Sequence, residues 1–482
     1  MSTVILIDPP TPYDDQINLG PVYLGSYLES IGHKVRIVDM NFHQKDNYER
    51  LWEAIQESWP DIIGISVMTY FAFGEVKKLL KYIKTVCDAQ IVVGGASPTI
   101  FAVEMMKDNP EIDWAVVGEG EHTLGEICEA VQDKAFEYIE GAAWRDGKNI
   151  VFVEQRPPIK DLDTLPMLNF GLIDLVEKYG FTYYRNTLVM STSRGCPYAC
   201  SFCLSSVLCQ RKWRPFSAKR VVDEIEAAHN KYNLTRVSFE DDNFVMLPDR
   251  VIDICRMIKE RNLPVKLCLE GGVRADRLTR ESFEALRSIG IEDAFLAVES
   301  GSPKVFDQIG KGETLRDIEV ALRLLDKANI DLQVYMILGL PGDTHETFLE
   351  SMAFLKKYHV KGRWHFAFPF ENTKMFDYVK EHGRFLKDCT GYDINIRNEI
   401  TTYGTMPLVF DTPEYPSKQR VKDYYTAVMD SGALFYVFGR FKNHALNALR
   451  CLFLVAWHKP TKLPAYFNYL SKLARNYMRL KV

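Results

Sequence analysis

The chain has 482 residues, 47% apolar and 26% charged, with a net charge of −5. That length predicts about three domains, the composition excludes a disordered or fibrous chain, and the charge gives no general pull toward nucleic acid. The start, MSTVILIDPP, lacks the basic head and long apolar run of a secretory signal, and no apolar run reaches the roughly 18 residues that span a bilayer. Ten cysteines are scattered and only three cluster, so a reducing cytosol is expected rather than a secreted disulfide framework.

Residues 1–140 alternate short apolar runs with helical periodicity. VILID, KVRIVDM, DIIGISVMT, AQIVVGG and WAVVGEGE read as buried strands, and VYLGSYLESIGH as a helix ending near Gly32. This is the βαβ rhythm of an open, Rossmann-like parallel sheet of flavodoxin type. Ligands of such sheets lie outside the carboxyl ends of the strands, where Pro9, Pro10, Ser66 to Thr69, Gly94, Gly95 and Glu119-Gly120-Glu121 fall. Residues 141–186 carry WRDGKN and EQRPPIKDLDTLP and read as a hairpin and linker. Residues 187–394 give six further strand–helix units, beginning with TLVMST, TRVSFE, VKLCLE, DAFLAVE, LQVYMILG and WHFAF. That count fits a partial (β/α)6 barrel of TIM type, with its site at the C-terminal strand ends. Residues 395–482 are expected to form a helical region.

Immediately after the first of these later strands stands RGCPYACSFC, with Cys196, Cys200 and Cys203 spaced C-x3-C-x2-C. Three thiolates in one loop suit an iron–sulfur cluster, because soft sulfur ligands favour such centres. With no fourth cysteine in the loop, one iron is left open to bind a substrate or cofactor. A zinc knuckle takes four ligands in paired arrangements, and only Cys209 lies near enough to be a fourth. Cys255 falls within a helix and Cys87 near a helix end, positions where a buried thiol acts as a small hydrophobe.

The cysteine loop resembles the signature of radical S-adenosylmethionine enzymes. The resemblance implies a 4Fe–4S cluster on the three cysteines, S-adenosylmethionine chelated to the open iron, and a 5′-deoxyadenosyl radical as the product of its cleavage. It also implies roles for other positions. Phe202 matches the aromatic residue near the adenine, and Glu240 and Asp241 the acidic strand end beside the cofactor's amino group. Arg274 follows the third strand, Glu299 and Ser300 match a segment contacting methionyl and ribose parts, and LGLPGDTHET (338–347) matches the turn after the fifth strand. Read alone, the acidic residues could instead cap helices and the Pro-Gly turn could only reverse the chain.

The N-terminal segment is similar to the B12-binding domain that precedes the radical domain in one subgroup, through LGPVYLGSYLESIGHKVRIVD, IIGISVMT, IVVGGASPT and VVGEGEHT. That likeness implies a cobalamin near Pro10, Ser66, Thr69, Gly94, Gly95, Glu119 and Gly120. The segment has no Asp-x-His-x-x-Gly, so its cobalt is not expected to be ligated by such a histidine; His33 and His43 read as turn and loop residues. A purely structural domain and a nucleotide-binding domain are the competing readings, the latter without any G-x-G-x-x-G.

Together these resemblances imply methylation of an unactivated carbon or phosphorus in a small-molecule or lipid substrate, driven by a reductant such as flavodoxin or ferredoxin. Radical rearrangement, cyclisation or C–C coupling is the alternative, and a non-catalytic iron–sulfur electron carrier a third reading. Tyr335, His365 and Phe368 are candidates for the substrate pocket. After Asp430 nine Lys or Arg occur with no acid, so 431–482 carries +9 and 1–430 carries −14. The tail can lie on an anionic membrane surface or pack against the acidic body; the acidic body argues against nucleic acid.

Overall fold

The computed structural model describes residues 1–10, 17–41, 46–68, 73–134, 138–173, 186–326, 330–394, 401–402 and 406–431. They fall into two compact units. The first holds Met1–Ala199, Cys203–Ala294 and Cys389–Arg397; the second holds Cys200–Phe202, Phe295–Asp388 and the described residues after Asn398.

In the first unit a seven-stranded sheet is built from β1 (Thr3–Asp8), β2 (Lys34–Asp39), β3 (Ile62–Ser66), β4 (Gln90–Gly94), β5 (Trp114–Val116), β6 (Ala142–Asp146) and β7 (Asn149–Phe152). Its order is β2-β1-β3-β4-β5-β6-β7. β1 to β5 pair in parallel, whereas the β6–β7 hairpin, expected in the connector, adds antiparallel to β5 as the sheet's edge. Five of the six residues of β1 are buried, as a strand covered on both faces requires. The helices α1 (Leu19–Ser30), α2 (Asn47–Ser58), α3 (Phe73–Val86), α4 (Ala96–Asp108) and α5 (Glu121–Asp133) return the chain between strands. α3 shows why they pack: Phe73, Val76, Leu79, Leu80 and Ile83 recur at helical spacing and are all buried. The strand order reverses between β1 and β3, the switch point where flavodoxin-like sheets bind ligands.

A second sheet follows, with β8 (Thr187–Met190), β11 (Arg236–Phe239), β12 (Lys266–Val273), β13 (Ile291–Glu299), β14 (Asp331–Leu338) and β15 (Lys361–Phe366) in the order β15-β14-β13-β12-β11-β8; β8, β11 and β12 pair in parallel, as do β14 and β15. The short strands β9 (Ser193–Arg194) and β10 (Arg214–Pro215) pair antiparallel beside it. Capping fixes several of its helices. Ser217 accepts from the Arg220 N–H at the start of Ala218–Tyr232, and Thr344 and Thr347 form a reciprocal capping box at His345–Tyr358. The LGLPGDTHET segment is a turn closed by Asp343, whose carboxylate accepts the Gly339 N–H at 2.8 Å and whose burial pushes its pKa up to about 6. Beyond residue 394 the described elements are two-residue strands, which the sequence rhythm does not announce, and the helix Ser417–Ser431.

Among the described residues no helix is long and apolar enough to cross a membrane. His43, and the basic tail from residue 432 with its expected membrane contact, lie outside the described residues. His33 lies between the turn at 31–32 and β2, its Nδ1 accepting the Ser2 N–H at 3.0 Å.

Candidate functional site

The cysteine loop leaves β8 under tight local control. Asp241, fully buried, accepts the Thr192 N–H on both carboxylate oxygens at 2.9 and 3.0 Å and the Thr192 hydroxyl at 2.9 Å, and Ser193 donates to it as well. Burial raises the Asp241 carboxyl above its ordinary range, against the pull of these bonds. Trp213 Nε1 donates to Ser193 Oγ at 3.1 Å, and Arg250 donates to the carbonyls of Thr192 and Phe216. At Gly195, φ is +81° and a Cβ would lie 2.3 Å from the Lys212 carbonyl and 2.7 Å from Cys209 Cβ, so the loop can pass only as glycine. Cys209 Sγ accepts the Cys196 N–H at 3.3 Å and donates to the Ser205 carbonyl at 2.6 Å. Cys209 therefore braces the loop from behind, a role its spacing does not announce.

Cys196, Cys200 and Cys203 are half-buried, whereas Cys128, Cys255, Cys268 and Cys389 are buried; none of the nine described cysteines is in a disulfide. Tyr198, between the first two, is held by the segment after β12. The Arg274 guanidinium lies 3.4 Å over its ring, and Arg277 Nε donates to its hydroxyl at 2.8 Å. Arg274 also bonds Asp276 at 2.9 Å. Among the described residues no group of three His, Cys, Asp or Glu side chains is placed to hold a metal ion.

A cavity of about 390 Å³ opens at the β1/β3 switch point. Of the positions the resemblance assigns to a cobalamin, Ser66, Gly94, Gly95, Glu119 and Gly120 line it; Pro10 is not among its lining residues, and Thr69 lies outside the described residues. The wall is cut back by glycine. At Gly95 φ is +108° and a Cβ would meet the Val67 carbonyl at 2.9 Å, whereas at Gly94 a Cβ would meet nothing closer than Val116 Cβ at 3.7 Å. The far side of the same cavity is formed by Ser191, Ser193, Arg194, Gly195, Glu240 and Asp242. Residues directly preceding Cys196 thus share one space with the strand ends of the N-terminal sheet.

Glu119 does not point a lone carboxylate into this space. Arg214 grips it at 2.8 and 2.9 Å, Arg194 at 3.2 Å, and the Ile159 N–H donates to it at 2.7 Å. Burial alone would raise its pKa, but the Arg214 bond and the two positive charges outweigh that and hold it below the ordinary range. Glu121, first residue of α5, bonds Arg194 at 2.6 Å. Tyr23, Arg194 and Arg214 are site-forming residues the sequence reading missed, whereas Glu121 was among the strand-end residues it named; only the run Arg194-Gly195-Cys196 hinted at one of the three.

In the second unit, Ser201 beside Phe202 is tied by its N–H to the Ile309 carbonyl at 2.9 Å and by its carbonyl to the Met375 N–H at 2.9 Å. Glu299 adopts φ +67° and is buried, with Lys311 Nζ 3.6 Å from its carboxylate and 2.9 Å from that of Glu313; burial raises the Glu299 carboxyl. Ser300 bonds Ser351 at 3.3 Å. Tyr335 stacks on Phe295 at 5.0 Å with His365 6.0 Å away, and burial with the Arg363 charge pushes the His365 imidazole down to about 3. Phe368 is buried against Phe370.

Comparison with known proteins finds two family matches, one over each of the two sheets' sequences. The B12 binding domain family matches residues 11–128 and the Radical SAM superfamily matches residues 190–355. An uncharacterized methyltransferase of Pyrococcus horikoshii is 28% identical, covering 84% of this chain and 86% of that protein. An anaerobic magnesium-protoporphyrin IX monomethyl ester cyclase of Cereibacter sphaeroides is 27% identical over 70% of this chain and 56% of its own length. Among solved structures, the radical S-adenosylmethionine methyltransferase TsrM from Kitasatospora setae, with cobalamin and a 4Fe–4S cluster bound, has the same fold at a TM-score of 0.70 and 20% identity, covering 90% of this chain and 89% of that one.

Proposed function

We propose that this chain, a member of the radical SAM superfamily with an N-terminal B12 binding domain, is a cobalamin-dependent radical enzyme that methylates an unactivated carbon of a small-molecule or lipid substrate, drawing electrons from an external reductant such as flavodoxin or ferredoxin. The observation that carries this reading is the single cavity bounded on one side by the glycine-cut ends of β3 and β4 and on the other by Ser191 to Gly195 of the cysteine loop.

The residues present fit the groups this reading requires. Three half-buried thiols within eight residues are a soft donor set suited to iron. Gly94 leaves room for a broad flat ligand at the cavity wall where a longer side chain would intrude, and Gly95 lets the chain turn against the Val67 carbonyl. When bound, the cluster with S-adenosylmethionine supplies the radical and the corrinoid supplies the methyl carrier. The chain's own work is placement. Cys196, Cys200 and Cys203 would hold the cluster, and Asp241, Trp213, Arg250 and Cys209 fix the loop that presents them. Glu240 and Asp242 offer carboxylates in the cavity to a cofactor ammonium group, while Asp241, turned inward on Thr192, serves the loop and not the cofactor. Phe202, Arg274, Glu299 and Ser300 would contact S-adenosylmethionine, as the resemblance implies.

The cyclase among the relatives supports ring closure as the second reading. One incubation separates the readings. Anaerobic chain reconstituted with iron, sulfide and cobalamin is given S-adenosylmethionine and dithionite. Methylation chemistry releases both 5′-deoxyadenosine and S-adenosylhomocysteine, radical cyclisation releases the first without the second, and an electron carrier releases neither, which would end the proposal.

A further inference from the structure

Arg194 stands two residues before Cys196, yet its side chain reaches into the first domain's helices and loops. Its guanidinium is bound on three sides by residues distant in sequence. Nη1 lies 3.2 Å from Glu119, Nη2 lies 2.6 Å from Glu121, and Cζ sits 4.7 Å over the ring of Tyr23. A buried ion pair contributes little net stability, because desolvation offsets attraction; its attested use is to fix register.

The register fixed here is that of the cysteine loop against the cavity. Tyr23, Glu119, Glu121 and Arg194 all line the cavity themselves. The connections also close into a ring. Arg194 binds Glu119, Glu119 binds Arg214, and Arg214 pairs back to Arg194 across the β9–β10 ladder. On the other flank the Tyr23 hydroxyl donates to the Ser191 carbonyl at 3.0 Å. The segment 191–194 is therefore held at both ends by side chains that a cavity ligand would touch. Counting Glu121 on Arg194, the cluster of two acids and two arginines is neutral, so its role is mechanical and not the attraction of a charged ligand.

We propose that Arg194 is a positioning residue that couples the two cofactor sites, making occupancy of the cavity by a corrinoid and the geometry of the Cys196–Cys203 loop interdependent. This rests on the reading under Proposed function. The experiment is a hydroxocobalamin titration, followed by absorbance, of the anaerobic full chain with and without its reconstituted iron–sulfur cluster. Coupling free energies of about 1–3 kcal/mol are typical, so the two dissociation constants of the wild-type chain should differ by at least about five-fold. In Arg194→Met the ratio of the two constants should fall to one even where both constants rise, and Arg194→Lys should lie between. The electron paramagnetic resonance signal of the reduced cluster should shift on adding cobalamin in the wild type and not in Arg194→Met. Should Arg194→Met fail to fold, Tyr23→Phe, which removes only the hydroxyl bond to Ser191, should lower the ratio instead. Equal constants in the wild type, or an undiminished ratio in the variants, overturn the inference and leave the function reading standing. A chain that binds neither iron nor corrinoid overturns both.

Discussion

Asp241 holds Thr192 through three hydrogen bonds, two to its N–H and one to its hydroxyl, all at 2.9 to 3.0 Å and all buried. The bond set accepts only, which suits a carboxylate and not an amide. In Asp241→Asn one carboxamide N–H₂ would face donors. Leaving such groups unsatisfied costs about 1–3 kcal/mol. We expect a matching loss in denaturant unfolding and a reconstituted iron content at least halved. Unchanged values for both would refute the clamp.

The two adjacent glycines of the cavity wall should behave differently. Gly95→Ala forces a side chain onto φ +108° and against the Val67 carbonyl, and should destabilise the chain by about 1–3 kcal/mol. Gly94→Leu meets only ordinary packing at its Cβ. Its thermal unfolding should stay near wild type while hydroxocobalamin affinity falls at least about ten-fold, roughly 1.4 kcal/mol. Full affinity in Gly94→Leu would remove this wall from the corrinoid site.

The four cysteines of the loop region should separate by role. Replacing Cys196, Cys200 or Cys203 by Ser should abolish retention of the about four iron atoms per chain that one cubane requires. Cys209→Ser keeps a donor for the Ser205 carbonyl and an acceptor for the Cys196 N–H, so most of the iron should remain. Iron analysis after anaerobic desalting decides it; equal loss in all four would make Cys209 a ligand.

At the carboxyl end of β1, burial raises the Asp8 carboxyl from its ordinary 3.8 to about 7, although Asn18 and Asn41 donate to it at 2.8 and 2.5 Å. The folded chain therefore keeps this proton to higher pH than the unfolded chain does. Stability contributed by the protonated group is complete below about pH 4, declines as pH rises and is gone above about 7. Wild type should lose more stability than Asp8→Asn between pH 4.5 and 7.5, by on the order of a few kcal/mol. Parallel pH profiles from thermal melts would contradict the raised carboxyl.

Much of this architecture was legible in the residues. The apolar runs of 1–140 become β1 to β5 because period and burial are local properties of a strand, and the six later runs become β8 and β11 to β15 for the same reason. The cysteine spacing and the glycine pair at 94–95 were equally plain, since each is a feature of one short segment. The β6–β7 hairpin was read as connector because nothing in its sequence says which edge it joins.

What the sequence determined by itself is the order of strands and helices, the thiol loop after β8 and the glycine-rich ends of the first sheet. Partner choice belongs to the tertiary structure. Arg194 meets Glu119 and Glu121 across 75 and 73 residues, Asp241 binds Thr192, and Cys209 becomes a brace. Spacing rules describe neighbours within a helical turn or along a strand, whereas these pairings depend on the register of strands far apart in the chain, which is settled only when the sheets have packed.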